Sequence, residues 1–313
     1  MPFGQVVMGA AGAGKTTYAK ALAAYLRANN RPVCLVSLDP AAEDEDNAED
    51  APTAVDVDVR ELVRADDVAR EQSLGPNGAL VFAADYLCAN SDWLVTKLRP
   101  YSERGCFFVF DCPGQLELFQ SRGALRGTVE VLAETLGMRL CCVHLTDSHM
   151  CADGFKYVSA LLSALSAMLF FDMPHICVLS KCDLVTGALR REMDMPFRFY
   201  RGGGDVTRLA DVMEYRRRGF KGSPMAAMTR NLLELVEDYG LVGFEKLAVE
   251  DVKLLARLTA QCDRAVGYVP TGASEGVGGG VSSAHLLGQA FSDDSDDDEG
   301  ALSDEDVDAL FDD

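Results

Sequence analysis

The sequence predicts an α/β protein in which helices cover both faces of a mainly parallel central sheet, giving three layers. Short, continuous apolar runs alternate along the chain with longer segments of helical periodicity. Continuous apolar runs are typical of strands that are buried on both faces, as they are in parallel sheets. Several runs lead directly into a glycine loop or an aspartate, as expected where strands end at one edge of such a sheet.

The strands are predicted from apolar runs that are too short to form the core of a long helix. Valine, leucine, phenylalanine and cysteine dominate these runs, and glycine, proline or charged residues bound them. Six segments meet this description: 5–8, 33–38, 106–110, 140–145, 175–179 and 241–247.

The helices are predicted from apolar residues at spacings of three and four. The most apolar of these segments, 155–171, is shorter than the ~20 residues that cross a bilayer, so we interpret it as a buried helix and expect no membrane association. Residues 73–78 are predicted as a turn and 201–204 as a glycine loop. The predicted helical segments are 15–27, 55–70, 80–98, 122–136, 155–171, 225–239 and 252–265.

Composition favours one folded domain, 1–270, followed by a disordered acidic tail, 271–313, that is rich in glycine, serine and aspartate. The net charge is −20, and the last 22 residues hold twelve of the acids. So acidic a chain is not expected to bind nucleic acid directly. The ten cysteines show no framework spacing. Reduced thiols, and therefore a cytoplasmic location, fit best.

Residues 9–16 read Gly-Ala-Ala-Gly-Ala-Gly-Lys-Thr and match every fixed position of the phosphate-binding P-loop motif, between a predicted strand and a predicted helix. Glycines allow successive amides to face phosphate oxygens, and the helix N-terminus adds positive charge. Lys15 is expected to reach the β- and γ-phosphates, and Thr16 to ligate Mg²⁺. The predicted nucleotide contacts here are Gly9, Gly12, Ala13, Gly14, Lys15, Thr16 and Thr17.

Further candidate residues follow other predicted strands. Asp111 ends the third strand, where an acid can hold Mg²⁺ through water, and the amide of Gly114 can meet the γ-phosphate. Gln115 is predicted to orient the attacking water. Asp39 ends the second strand and is a candidate for the Mg²⁺ or for that water, with a helix cap as the alternative.

A base-reading loop is predicted at Ser180-Lys181-Cys182-Asp183, after the fifth strand. The carboxylate of Asp183 can accept two N–H groups from a guanine edge, whereas adenine offers no such pair. The stem of Lys181 can lie over the base plane. GTPases usually have asparagine where this chain has Ser180.

Together these motifs, in this order and with Gly75-Pro76-Asn77 between two helical segments, resemble the GPN-loop GTPases over about residues 3–268. The resemblance implies a SIMIBI-class GTPase that binds GTP or GDP with Mg²⁺. It also implies a dimer, either of identical chains or with a paralogue. Gly75, Pro76 and Asn77 of one subunit would then enter the nucleotide site of the other, with Asn77 near the phosphates or the attacking water.

By the same resemblance, Thr16, Asp39 and Asp111 would serve the Mg²⁺, and Asp39, Gln115, Asn77 and Glu117 would be catalytic. The family is associated with the assembly and nuclear import of RNA polymerase II, so polymerase subunits or assembly factors are the implied partners and passage into the nucleus is implied. The chain departs from the family pattern in its longer, strongly acidic loop at 41–53.

Alternatives remain open at this point. The same P-loop could belong to a small-molecule kinase, to a nucleotide-bound scaffold that does not hydrolyse, or to an ATPase. A kinase would need an acceptor pocket and usually an arginine-rich lid, and the arginine cluster Arg216-Arg217-Arg218 lies far along the chain from the phosphate motifs. The cysteines and histidines at 141, 142, 144, 149 and 151 could suggest a metal site, but strand alternation favours a structural role. The sequence does not identify the client protein.

Overall fold

The computed structural model describes residues 1–42, 53–114, 123–201, 205–217, 219–239 and 243–269. Predictions that fall on the remaining residues lie outside the described part of the chain. These include the acidic loop for most of its length, Gln115, Glu117, the glycines at 202–204 and the acidic tail. The assignment of one domain to 1–270 stays a prediction.

The strands form a seven-stranded sheet in the order β3-β2-β4-β1-β5-β6-β7. The pairs β1–β4, β1–β5, β2–β3, β2–β4 and β6–β7 are all parallel, which confirms the predicted sheet. All six predicted strands are present. The strands are β1 Phe3–Gly9, β2 Val33–Ser37, β3 Val57–Asp58, β4 Phe107–Asp111, β5 Arg139–Asp147, β6 His175–Ser180 and β7 Phe244–Lys246.

Helices alternate with these strands, which confirms the α/β class. None of the described helices is long and apolar enough to cross a membrane. The helices are α1 Lys15–Ala28, α2 Ala65–Gln72, α3 Pro76–Ala89, α4 Ser91–Glu103, α5 Ala124–Leu136, α6 Gly154–Phe170, α7 Gly187–Glu192, α8 Phe197–Tyr200, α9 Arg208–Arg216, α10 Pro224–Tyr239 and α11 Val252–Val266.

The chain packs as two compact units. The first contains Met1–Leu145, Phe170–Ile176 and the described residues from Thr259 onward. Its core is formed by the fully buried strand residues of β1, β2 and β4 against the buried face of α1, which presents Tyr18, Leu22 and Leu26. The strands are buried continuously, as the apolar runs in the sequence predict, and the buried residues of α1 recur every fourth position, as one face of a helix does.

The second unit contains Thr146–Leu169 and Cys177–Leu258 among the described residues. Its core surrounds three fully buried aromatic residues, Tyr157, Phe197 and Tyr200. Tyr157 packs edge-on against Tyr200, with ring centroids 4.7 Å apart. The short helices α7, α8 and α9 build this core and were not predicted. They are four to nine residues long, and such short segments show too little periodicity to be recognised.

The helical prediction for 55–70 is wrong in its first half. Val57–Asp58 is a short parallel strand, β3, and only Ala65–Gln72 is an α-helix. Asp56 fixes the start of β3, because its backbone N–H donates to Leu35 O at 2.8 Å and its carboxylate accepts from Leu35 N–H at 2.7 Å. Arg27 donates to the same carboxylate at 2.6 Å. A strand held by such distant contacts leaves little local signal.

The predicted turn at 73–78 is shorter than expected, and the predicted helix 80–98 is two helices. Helix α3 begins at Pro76, with Gly75 as its extended N-cap. Proline is well suited to the first helical position because the N–H it lacks is not needed there. Asn90 lies between α3 and α4 at φ −114° and ψ 32°, and its side-chain amide donates to Tyr86 O at 2.8 Å. This non-helical residue separates the two helices.

Candidate nucleotide-binding site

The predicted P-loop connects β1 to α1, and its backbone needs glycine. Gly9, Gly12 and Gly14 have φ values of 142°, 77° and 85°, in the region that L side chains rarely adopt. A Cβ on Gly9 would lie 2.2 Å from Leu145 O, whereas one on Gly12 would meet nothing within 4 Å. The backbone at Gly9 therefore packs directly against the backbone of Leu145, whereas Gly12 has open space beside it. The Ala13 N–H donates to Ala10 O at 3.2 Å and closes the loop.

Lys15 is held inside this loop. Its Nζ donates to Ala10 O at 3.1 Å, and only 7% of the residue is exposed. Burial lowers the pKa of Lys15, and the nearby acids Asp111 and Asp39 partly oppose this effect, as does the Cys112 thiol. A partly desolvated cation is therefore held next to two carboxylates, which places positive charge where the P-loop motif requires it.

Asp111 is buried at the end of β4, with 6% of the residue exposed. Burial raises the pKa of Asp111 to about 6, although a hydrogen bond from the Thr16 hydroxyl and the charge of Lys15 pull it down. Within the described residues, its Oδ1 is buried and has no hydrogen-bond partner. An unpaired carboxylate oxygen beside a hydroxyl is a set of donors that suits Mg²⁺, a hard ion that prefers oxygen ligands. These residues therefore fit the predicted ion.

Gly114 lies against the P-loop, as its predicted role requires. A Cβ at this position would come within 2.9 Å of both Ala11 Cα and Lys15 Nζ. Only a residue without a side chain can approach so closely. The two candidates that follow it, Gln115 and Glu117, lie outside the described residues, so their roles stay predictions.

Asp39 follows β2, and its negative charge is close enough to raise the pKa values of both Lys15 and Asp111. Its Oδ1 accepts the N–H of Ala41 at 3.0 Å, so it caps a turn. The alternative of a helix cap is thus wrong, since no described helix starts there. The electrostatic proximity is consistent with the predicted role at the ion or the attacking water, which stays a prediction.

The Gly75-Pro76-Asn77 segment is exposed in this chain, at the start of α3. A Cβ on Gly75 would meet nothing within 4 Å. Two aromatic side chains on the same helix, Phe82 and Tyr86, are 39% and 42% exposed and stack on each other with ring centroids 6.4 Å apart. An exposed motif beside exposed aromatic residues is the arrangement expected of a protein-contact surface.

The predicted base-reading loop belongs to the second unit. Ser180 Oγ donates to Thr146 O at 3.2 Å, so the serine that stands in place of asparagine still makes a hydrogen bond to the neighbouring backbone. Lys181 has a φ of 57°, in the left-handed region. Asp183 is exposed at the start of a short 3₁₀ turn, Cys182–Leu184. An exposed carboxylate is available to a base.

Sequence reasoning missed one residue of this loop system. The carboxylate of Asp147 accepts two hydrogen bonds: one from Lys181 Nζ at 2.8 Å and one, at Oδ1, from the backbone N–H of His149 at 2.9 Å. Burial would raise the pKa of Asp147, but these hydrogen bonds outweigh burial and lower it. Ser148 Oγ donates to Lys181 O at 3.0 Å. The available signal was that Asp147 ends β5, in the way that other polar candidates directly follow a strand.

The arginine cluster is ion-paired where the structure describes it. Among the described residues, Arg216 and Arg217 are ion-paired to Asp194 at 3.4 and 2.9 Å, and Arg217 also pairs with Asp153 at 2.9 Å. They are therefore part of the second unit and not a free cationic lid. The cysteines and histidines considered between 141 and 151 do not form a ligand group among themselves within the described residues.

A family model described as "Conserved hypothetical ATP binding protein" matches residues 7–268. The chain is 38% identical over 279 residues to GPN-loop GTPase QQT1 of Arabidopsis thaliana, which covers 88% of this chain and 89% of that protein. It is 39% identical over 272 residues to GPN-loop GTPase 2 of Xenopus tropicalis, with coverage of 85% and 83%.

A solved structure also resembles this chain. It is a GTPase from Pyrococcus abyssi in its apo form, with a TM-score of 0.67 and 23% sequence identity, covering 84% of this chain and 97% of the other. At this level of identity the likeness concerns the fold alone.

Proposed function

The chain belongs to the GPN-loop GTPase family, and we propose that it binds GTP with Mg²⁺ and hydrolyses it to GDP and phosphate. The observation that carries the proposal is the group formed by Lys15, Thr16 and Asp111. It combines a buried cation, a hydroxyl and a carboxylate with one unpaired oxygen, all beside a glycine loop. Burying an ionisable group costs free energy, and a turn that binds no ligand would gain nothing in return.

Hydrolysis requires a water molecule to attack the γ-phosphorus in line with the bond to the leaving GDP oxygen. Mg²⁺, when bound, would neutralise charge on the β- and γ-phosphate oxygens. Thr16 and Asp111 would hold it, and Lys15 would attract the same oxygens. Gly114 closes the approach to the phosphates without a side chain in the way. We assign the orientation of the attacking water to Gln115, with Asp39 and Glu117 as further candidates.

The proposed choice of guanine depends on Asp183. Its exposed carboxylate can accept two hydrogen bonds from the N1–H and the 2-amino group of guanine, an arrangement that adenine cannot supply. Lys181 would cover the base, and Asp147 holds its Nζ at 2.8 Å. The description of the matching family model mentions ATP, whereas the curated relatives are named GTPases. The base-reading carboxylate favours GTP.

We further propose that the active form is a dimer in which the Gly75-Pro76-Asn77 segment of one subunit completes the site of the other. The support is its exposure and the exposed Phe82 and Tyr86 on the same helix. A segment exposed at the start of a helix can contact a partner without rearrangement. The partner is a second copy or a paralogue of the same family.

The cellular role that follows from the family resemblance is a switch. We propose that GTP hydrolysis drives a change of conformation during the assembly or nuclear import of protein complexes, with RNA polymerase II as the client. The protein would then act in the cytoplasm and enter the nucleus with its cargo. A pull-down that compares GTP-loaded with GDP-loaded protein tests this, because a switch must bind its client differently in the two states.

Nucleotide binding is tested by Lys15→Ala, with Lys156→Ala, an exposed lysine on α6, as the matched control. Isothermal titration calorimetry with GTP and Mg²⁺ should detect binding to the wild type and to the control but none to Lys15→Ala. Unaltered GTP affinity in Lys15→Ala would contradict the assignment of the P-loop.

The base assignment is tested by Asp183→Asn. An asparagine side chain offers one donor and one acceptor, which matches xanthine better than guanine. GTP affinity should therefore fall by at least about a hundredfold, because one of the two hydrogen bonds is lost, an amide donor faces the guanine 2-amino donor, and the remaining bond is no longer made to a charged acceptor, while affinity for xanthosine triphosphate rises. If ATP competes with labelled GTP as well as GTP itself does in the wild type, the protein is an ATPase and the assignment fails.

The dimer proposal is tested by mixing two inactive variants. Asn77→Ala should bind GTP but turn it over slowly, and Lys15→Ala should not bind it. In a mixed dimer, the intact nucleotide site of one chain receives the intact loop of the other, so mixing should restore up to about a quarter of the wild-type rate, since half of the dimers are mixed and each has one competent site. If mixing restores nothing although mixed dimers form, the loop does not act in trans.

The kinase and scaffold alternatives are separated by the products. A GTPase releases phosphate from GTP in a single turnover without any acceptor, whereas a kinase needs an acceptor and a scaffold releases none. The ion pairs of Arg216 and Arg217 weaken the kinase alternative, because a kinase lid needs free arginines to neutralise the transferred phosphate.

A further inference from the structure

Helix α10 of the second unit carries an exposed apolar stripe beside the apolar stripe that it buries. Ala226, Leu233 and Val236 belong to the buried stripe and pack into the core of that unit. Four large apolar side chains of the same helix are exposed instead: Met225 by 54%, Met228 by 57%, Leu235 by 45% and Tyr239 by 43%. None of these four residues has a role in the proposed GTPase reaction.

The exposed residues follow the spacing of a coiled-coil helix. Together with the half-buried Leu232 they stand at 225, 228, 232, 235 and 239, so that the steps between them alternate between three and four residues. Apolar residues at this spacing form one seam along a helix, into which a second helix packs its own apolar side chains. At about 1.5 Å per residue the seam is roughly 21 Å long. A partner helix of roughly two to three heptads would cover it.

The C-terminal end of α10 is strongly acidic. Glu234, Glu237 and Asp238 are exposed there, and Asp205 lies close to Glu237. Desolvation and the negative charges of Asp205 and Asp238 raise the pKa of the Glu237 carboxyl, as expected where like charges are crowded. Negative charge at this end of a helix is also unfavourable because it meets the negative end of the helix dipole. A positively charged partner would relieve both kinds of repulsion.

The one basic residue of α10 is engaged elsewhere. Arg230 donates to Asp211 at 2.6 Å and to Glu214 at 3.2 Å, both of which lie on α9. The last turn of α10 contains no base. The charge of the stripe's surroundings therefore selects among possible partners. A second copy of this chain, with its net charge of −20, or an anionic membrane surface would add to the repulsion, whereas a basic partner would reduce it.

We propose that the exposed stripe of α10 is a docking surface for a basic amphipathic helix of another protein. Apolar side chains of that helix pack along the stripe, and its lysine and arginine side chains lie beside the acids at the C-terminal end of α10. Apolar anchors three and four residues apart are the usual means by which a helix is recognised in this way. The contact is small, so we expect a transient complex of micromolar affinity.

The test uses the full-length protein and a fluorescein-labelled synthetic peptide. The peptide is three heptads long, with leucine at the first and fourth positions of each heptad and lysine at the fifth and seventh. Fluorescence anisotropy at low ionic strength should detect binding to the wild type. The affinity should fall as salt is added, because salt screens the attraction between lysines and acids. The same peptide with glutamate in place of lysine should not bind.

Variants of α10 locate the contact. Met228→Gln/Leu235→Gln removes apolar surface without adding charge and should weaken peptide binding by at least about tenfold. Ala227→Gln, at an exposed position of the same helix outside the stripe, is the matched control and should bind like the wild type. Glu237→Gln/Asp238→Asn should weaken binding at low salt and make it depend less on salt. Circular dichroism at the outset confirms that the variants are folded.

The proposal is overturned if the lysine peptide does not bind the folded wild type, or if the glutamate peptide binds equally well. It is also overturned if Met228→Gln/Leu235→Gln binds the lysine peptide as tightly as Ala227→Gln does. Sedimentation velocity tests the second copy: a dimer that only Met228→Gln/Leu235→Gln loses would assign the stripe to self-association. Co-sedimentation of the wild type with phosphatidylserine vesicles, lost in the same variant, would assign it to a membrane surface, and either result overturns the proposal.

Discussion

Replacing Asp111 with asparagine should stabilise the metal-free protein while it removes the function of the site. The carboxylate is almost fully buried, and its pKa is raised from 3.8 to about 6, mainly by burial. A shift of that size corresponds to roughly 3 kcal/mol between the two protonation states. Asparagine keeps an acceptor for the Thr16 hydroxyl but carries no charge. At about pH 7.5 we expect the free energy of unfolding of Asp111→Asn to exceed that of the wild type by about 1–3 kcal/mol.

The same shift fixes the direction of the pH dependence. Asp111 has a higher pKa in the folded than in the unfolded chain, so the folded state binds more protons between the two values. The stability that the neutral carboxyl provides is complete below pH 3.8 and is lost as the pH rises through about 6. The advantage of Asp111→Asn should therefore be small near pH 4 and full above pH 7.

Urea unfolding in EDTA, followed by circular dichroism at several pH values, measures this difference. Addition of Mg²⁺ and GTP should then reverse the order at pH 7.5, because only the wild type has the carboxylate that the ion needs. The reasoning is refuted if metal-free Asp111→Asn is the less stable protein at pH 7.5. It is equally refuted if the difference between the two proteins is the same at pH 4 and pH 7.5.

Three other substitutions have expected outcomes. Gly9→Ala should cost at least about 3 kcal/mol in urea unfolding, because its Cβ would lie 2.2 Å from Leu145 O; an unchanged midpoint would contradict the close approach. Asp147→Asn should weaken GDP binding by about tenfold in calorimetry with little change in thermal stability, since it releases Lys181 Nζ; equal affinity would mean that the ion pair does not position the lysine. Gly114→Ala should lower GTP affinity by at least about tenfold while the protein stays folded, because its Cβ would come within 2.9 Å of the P-loop backbone; normal affinity would show that the loop can move away.

Much of the fold could be predicted because its signals are local. A buried strand and an amphipathic helix each carry their period in their own residues, and all six predicted strands were found. The P-loop could be predicted for the same reason, since its function depends on glycines and a lysine within eight consecutive residues. The prediction of a single helix over 80–98 failed at Asn90, where one residue ends the first helix and precedes the next.

What the sequence by itself determined is therefore the α/β class, the P-loop with Lys15 and Thr16, and the acid at the end of β4. Only the tertiary structure decided the strand order, the burial that raises the pKa of Asp111, and which apolar stripe of α10 stays exposed. The physical reason is that periodicity and motif spacing are properties of neighbouring residues. Desolvation and contacts between strands depend on segments that are far apart in the chain and that folding brings together.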